Sequence, residues 1–166
     1  AREQHAMAFD PRLGGIVLFG GNSPEGVCND TWEYDGQGWV EVATALPPTP
    51  RHGHGLVYHE ARGRVLMFGG HSWTADLSET WEYDGSAWTL LPVVLPPASA
   101  SFMALVYDSW RRTIVRYGGR FTYGETWQFR YESLQPIEVC RNGQDDDGDG
   151  DADCADWDCT LHPDCQ

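Results

Sequence analysis

Lysine is absent: all 11 basic residues are arginine, set against 25 acids, for a formal charge of −14. A surplus of that sign repels phosphate backbones and anionic lipid surfaces, so nucleic acid and basic-patch membrane contacts are not expected. No apolar run approaches the roughly 20 residues that a membrane-spanning helix requires, so no membrane span is expected. No leader is visible after Ala1, so any export signal is expected to be gone already. Helical periodicity is missing over any useful length. A Gly-x-Ser-x-Gly elbow, a phosphate-binding loop and a readable Ser-His-Asp set are missing too, which makes an enzyme the minority reading. Paired carboxylates for glycoside hydrolysis stay open, because in β folds they come from distant positions.

What is present is a repeat, and period is the first test of fold. Phe19-Gly20-Gly21 returns as Phe68-Gly69-Gly70 and again as Tyr117-Gly118-Gly119, each step 49 residues. Arg2 maps onto Arg51, His5 onto His54, and Phe9 onto Tyr58 and Tyr107. Thr31-Trp32-Glu33-Tyr34-Asp35-Gly36 recurs as Thr80-Trp81-Glu82-Tyr83-Asp84-Gly85; the third copy, three residues shorter, reads Thr126-Trp127-Gln128-Phe129. Gly38-Trp39 matches Ala87-Trp88, with no third counterpart.

Each unit reads as four short strands. In the first these are His5–Asp10, Gly15–Phe19, Thr31–Tyr34 and Trp39–Val42, with Asp35-Gly36 as a hairpin turn and Pro47-Pro48 as a break. The chain is therefore expected to be all-β. A four-stranded unit of 49 residues, with a double glycine after strand two and aromatics on strands three and four, resembles the kelch repeat. The resemblance covers about residues 2–136 and implies three four-stranded propeller blades, at about 1–48, 49–98 and 99–136. In the third, only Ile137-Glu138-Val139 could supply a fourth strand.

Propellers typically close with four to eight blades. Three blades leave three readings open: a piece of a longer propeller, two chains completing a six-bladed ring, or an open stack. Self-assembly through apolar blade faces is therefore an expected partner mode.

After Pro136 the composition changes. Residues 138–166 hold ten acids and one arginine, a balance of −9 out of −14, and four of the five cysteines. In a D-x-D-x-D-G register, Asp145, Asp147 and Asp149 supply alternate carboxylates and Gly150 the turn. Asp151 offers a carbonyl, and Asp153 and Asp156 follow at positions nine and twelve. Oxygen ligands in that number suit Ca²⁺. The twelfth residue is Asp rather than Glu, and Pro136 and Gly143 argue against an entering helix, so this is no helix–loop–helix hand. Cys140, Cys154, Cys159 and Cys165 read as two disulfides of undecided pairing. The competing reading is zinc on Cys154, Cys159, His162 and Cys165, at a spacing that matches no common template. Cys28 is left over, free or paired with another chain.

The segment 137–166 resembles the Asp-rich, Cys-flanked metal-binding segments of secreted bacterial surface proteins and is similar to a thrombospondin type 3 calcium repeat. Both resemblances imply Ca²⁺ and an extracellular setting. Among kelch-bladed proteins, galactose oxidase carries copper on Tyr and His. Here His5 and His54 share one repeat position with Met103, which suits blade packing better than ligation. His52, His59 and His71 read as isolated loop residues.

The expected function is a secreted, non-enzymatic binding or structural module, with the variable loops Gly21–Asn29 and His71–Ser78 as contact surfaces and Trp73 as a contact residue. The alternative is a carbohydrate-active protein, lectin or hydrolase, that stacks sugars on loop aromatics.

Overall fold

The computed structural model describes residues 1–92, 98–120 and 124–129. Eleven strands follow in chain order: β1 (Ala6–Asp10), β2 (Gly15–Ser23), β3 (Gly26–Tyr34), β4 (Trp39–Val42), β5 (Gly55–His59), β6 (Arg64–Phe68), β7 (Thr80–Tyr83), β8 (Trp88–Leu91), β9 (Ala104–Asp108), β10 (Thr113–Tyr117) and β11 (Thr126–Phe129). A 3-10 turn at Glu60–Arg62 is the only helical element among the described residues. The strands form three antiparallel sheets, ordered β1-β2-β3-β4, β5-β6-β7-β8 and β9-β10-β11, so the described part of the chain is all-β. The third sheet has three strands here, and the fourth expected at Ile137-Glu138-Val139 lies outside the described residues. So do Cys140, Cys154, Cys159 and Cys165, and the proposed calcium ligands Asp145, Asp147, Asp149, Asp151, Asp153 and Asp156.

The sheets repeat one register. Ala6 faces Phe19, Gly55 faces Phe68 and Ala104 faces Tyr117 at one end of the first hairpin of each sheet. Aspartates shape the turns. Asp35 Oδ1 accepts from the amides of Gln37 and Gly38, and Asp84 Oδ1 does the same for Ser86 and Ala87, while Gly36 and Gly85 sit at φ 94° and 101°. A side-chain carboxylate that mimics a backbone acceptor, followed by glycine in the left-handed region, closes a tight hairpin.

One sequence expectation needs correction. Gly21–Asn29 is not a free loop: the pairing of β2 with β3 slips at a bulge between Phe19 and Gly21, then resumes from Gly21–Cys28 to Ser23–Gly26. Ser23 closes the tip, its Oγ accepting from the Glu25 amide and donating to the Gly26 carbonyl. The double glycine, which looked like a strand end, permits a bulge that lets the ladder continue.

Between sheets, β1 lies along β5 and β5 along β9. The main core sits between the first two sheets and comprises Val17, Phe19, Leu56, Val65, Met67, Tyr83 and Trp88. The Trp88 ring meets Phe19 edge-on at 5.1 Å, and its indole N–H donates to the buried Thr31 Oγ1 at 2.9 Å. Tyr83 donates its hydroxyl to Glu33 at 2.9 Å, and burial together with that carboxylate pushes the phenol pKa up.

Main-chain bonds stitch neighbouring sheets at the same 49-residue step. Gly21 N–H donates to Arg51 O and Gly70 N–H to Ala100 O; Arg51 N–H donates to Cys28 O and Ala100 N–H to Leu77 O. A third pair runs from Gly53 N–H to Gln4 O and from Phe102 N–H to Gly53 O. Gln4, Gly53 and Phe102 all adopt the left-handed region, at φ 57°, 62° and 58°. Glycine takes this conformation freely, whereas a phenylalanine held there is strained and persists only because the surrounding bonds fix it.

Candidate binding surface

The stitched main chain builds one end of the sheet stack. Here the β2–β3 hairpin, the β6–β7 loop and the three lead-in segments 2–4, 51–53 and 100–102 come together. Two arginines, the fully buried Arg51 and the half-buried Arg2, brace it from beneath. Arg51 donates to Thr49 O at 3.0 Å, Gly69 O at 3.0 Å and Glu79 at 2.7 Å. Arg2 repeats the pattern with Gly20 O and Asp30. The third repeat has Ala100 at that position. There Arg116, from the strand position of Leu18 and Met67, brings its guanidinium to Ala98 O and Glu125, the counterparts of Thr49 O and Glu79. The substitution is looser: its contacts are 3.3 and 3.5 Å, and its buried Nε finds no acceptor.

Above the braces lies a polar cluster. His71 Nδ1 is 2.9 Å from Asp76 Oδ1, and Ser101 Oγ donates to the same oxygen at 2.7 Å. The His52 ring packs against His71 at 5.5 Å and Phe102 at 5.7 Å. Histidine, aspartate and serine thus stand together but in the wrong order for nucleophilic catalysis. Serine and histidine both bond to the carboxylate, and Ser101 is buried, so no base faces the hydroxyl. The cluster ties the β6–β7 loop to the third sheet.

The histidines depart from the sequence reading. His52 and His71 are partners, not isolated loop residues, and burial with repulsion from His71 and Arg120 holds the His52 pKa down. His59 ends β5, buried against Tyr107 at 4.6 Å, and desolvation pulls it down to about 4. His54 packs on Phe19 at 5.6 Å, and desolvation followed by repulsion from Arg51 lowers it to about 3. The buried His54 and His59 imidazoles are neutral at physiological pH.

Toward solvent, the end presents Glu3, Gln4, Glu25, Trp73 and Phe102. Trp73 is 70% exposed, and its ring rests on Gly26 of the neighbouring hairpin, where an added methyl would come within 2.9 Å of Cζ2. The two variable segments singled out from sequence therefore touch, with Trp73 between them. Sequence reasoning missed Phe102, whose left-handed backbone is visible only once Gln4, Gly53 and Phe102 are aligned by the repeat. Cys28 lies half-buried on β3 and is unpaired among the described residues. Also among the described residues, no three His, Cys, Asp or Glu side chains converge in the manner of a metal site. No family model and no curated protein matches this chain.

Proposed function

We propose that this chain is a secreted, non-enzymatic binding or structural module. Kelch-type blades form its scaffold, an extracellular partner is taken at the Trp73 end, and an Asp-rich Ca²⁺-binding segment follows. The observation that carries this reading is the Trp73 indole, 70% exposed yet braced on Gly26 of another repeat. An aromatic ring fixed in place gives contact area at little entropic cost on binding. The rigid, main-chain-stitched lead-ins beneath it supply the scaffold that loop recognition needs. A glycan ligand is the second reading, favoured by the same exposed ring face.

The test is a screen of the immobilised full chain against extracellular proteins and glycans. Trp73→Ser is expected to weaken any ligand found by about tenfold or more, in line with an aromatic anchor, and to leave the melting temperature unchanged. Specific glycan capture supports the second reading, and turnover of a glycan would replace both with a hydrolase.

For the C-terminal segment the reading rests on the register of Asp145, Asp147, Asp149, Asp151, Asp153 and Asp156 about Gly150. Calorimetry with Ca²⁺ on the full chain should show binding that Asp149→Ala weakens and Asp146→Asn does not, because alternate residues face the ion. Equal losses from the two variants would defeat the register.

A further inference from the structure

The repeat places the same side chains on all three sheets, but neighbours cover them unequally. On the side by which the second sheet meets the first, Leu56 is 8% exposed, Trp88 is 5% exposed and Tyr83 is fully buried. Their first-repeat counterparts are Met7 at 51%, Trp39 at 42% and a half-buried Tyr34. On the opposite side, Phe19 and Phe68 are buried, as are Thr31 and Thr80. Their third-repeat counterparts Tyr117 and Thr126 are exposed, together with Ala104, Val106 and Gln128. One end of the stack thus presents the residues that dock in the first junction, and the other presents the residues that receive them.

We propose that a second copy of this chain seats its first sheet on the third sheet of the first copy, head to tail, in the geometry by which β5–β8 packs on β1–β4. The contacts follow by moving each observed one along the repeat. Trp39 takes the place of Trp88, donating its indole N–H to Thr126 as Trp88 does to Thr31, and setting its edge on Tyr117 as Trp88 does on Phe19. Tyr34 donates to Gln128 as Tyr83 does to Glu33. Met7 lies over Ala104. The main-chain stitch continues from Gly119 N–H to Arg2 O and from Gln4 N–H to Phe102 O, matching the bonds of Gly21, Gly70, Gly53 and Phe102. Charge favours the match: Glu33 and Glu82 give way to Gln128 on the receiving face, which removes an acid where two acidic chains meet. Such a joint is heterologous, since each copy uses a different face, and it extends or closes according to its rotation. The proposal concerns the sheet faces and is independent of the ligand taken at the Trp73 end.

Sedimentation of the full chain across the micromolar range tests it. The wild-type chain should self-associate. Trp39→Glu alone and Tyr117→Glu alone should each weaken association by about thirtyfold or more, as expected for a central aromatic at an interface, with unchanged circular dichroism. An equimolar mixture of the two variants should form a one-to-one dimer, because it retains one native joint between Trp39 of one variant and Tyr117 of the other. A wild-type chain that stays monomeric overturns the proposal, and slow modification of Tyr117 in that monomer would assign the face to the chain's own residues 130–166. Association that survives both substitutions, or a mixture that stays monomeric, overturns it as well.

Discussion

The first and second repeats carry the same Thr-Trp-Glu-Tyr-Asp-Gly segment and fold it into the same hairpin, yet they do not bury the same surface. Trp88 closes the core between two sheets, whereas Trp39 leans on Tyr34 at 5.2 Å with its other face in water. Local sequence dictates the hairpin; only the presence of a neighbour decides whether the hairpin's aromatics stabilise the fold. The third repeat extends the lesson, because there a brace is kept while the residue that supplies it has moved from position 100 to position 116.

The sharpest way to test the contrast is to truncate both tryptophans. Trp88→Ala should cost about 3–5 kcal/mol, through a cavity against Phe19 and a stranded Thr31 hydroxyl. Trp39→Ala, measured on the dilute chain, should cost about 1 kcal/mol or less, since an exposed ring leaves no cavity. Denaturant titration reads both, and equal losses would mean that Trp39 is covered in the folded chain.

A smaller difference is expected between the two braces. Arg51→Leu leaves the Thr49 and Gly69 carbonyls unmet and takes the ion pair from Glu79, which keeps only the Trp81 indole, at about 2–3 kcal/mol. Arg116→Leu should cost about 1 kcal/mol or less: its contacts are long, Glu125 keeps its access to water, and Leu18 already fills the same position in the first repeat. A loss at Arg116 as large as that at Arg51 would show that the displaced arginine is a full replacement.

Acid offers a third and gentler probe of the same core. His54 is neutral in the fold, with its pKa lowered to about 3, and it gains a proton on unfolding near its ordinary value of 6.5. Its stabilising contribution is therefore complete above about pH 6.5 and is lost as the pH falls toward 3, by about 3 kcal/mol at pH 4. His59, lowered to about 4, acts with the same sign. His54→Met, copying Met103 of the third repeat, should flatten the fall between pH 6 and pH 4 in stability curves. An unchanged slope would place the acid sensitivity at other groups.

Much of this architecture is legible in the linear chain. Apolar alternation and the Asp-Gly turns place β4 at its observed bounds and β1 within one residue, and the 49-residue step predicts the common register. The extension of β2 and β3 past the double glycine is not legible. A glycine pair reads equally as a stop or a bulge, and Ser23 decides only by closing the tip. Trp73 stood out by sequence as a large apolar residue in a variable segment, but its support on Gly26 lies across a junction between repeats. Arg116 was invisible for a similar reason. Nothing in the string says that a cation on a strand reaches the hole left by an alanine sixteen residues earlier.

At the Trp73 end the sheets are joined by amide and carbonyl groups, which every residue except proline provides in full. Such a joint is particular about side chains only at its glycines: Gly21 and Gly70 donate at φ 98°, where any side chain would be strained and crowded. Position 51 can be arginine and position 100 alanine while the bonds at both remain the same. A chain assembled this way is modular in the manner of a zip fastener: a 49-residue unit inserted or deleted between existing units meets, on each side, the donors and acceptors that its predecessor met. The number of sheets can therefore change by duplication or loss of a whole unit without a new contact having to be devised, and the side chains at the Trp73 end remain free to diverge from one unit to the next.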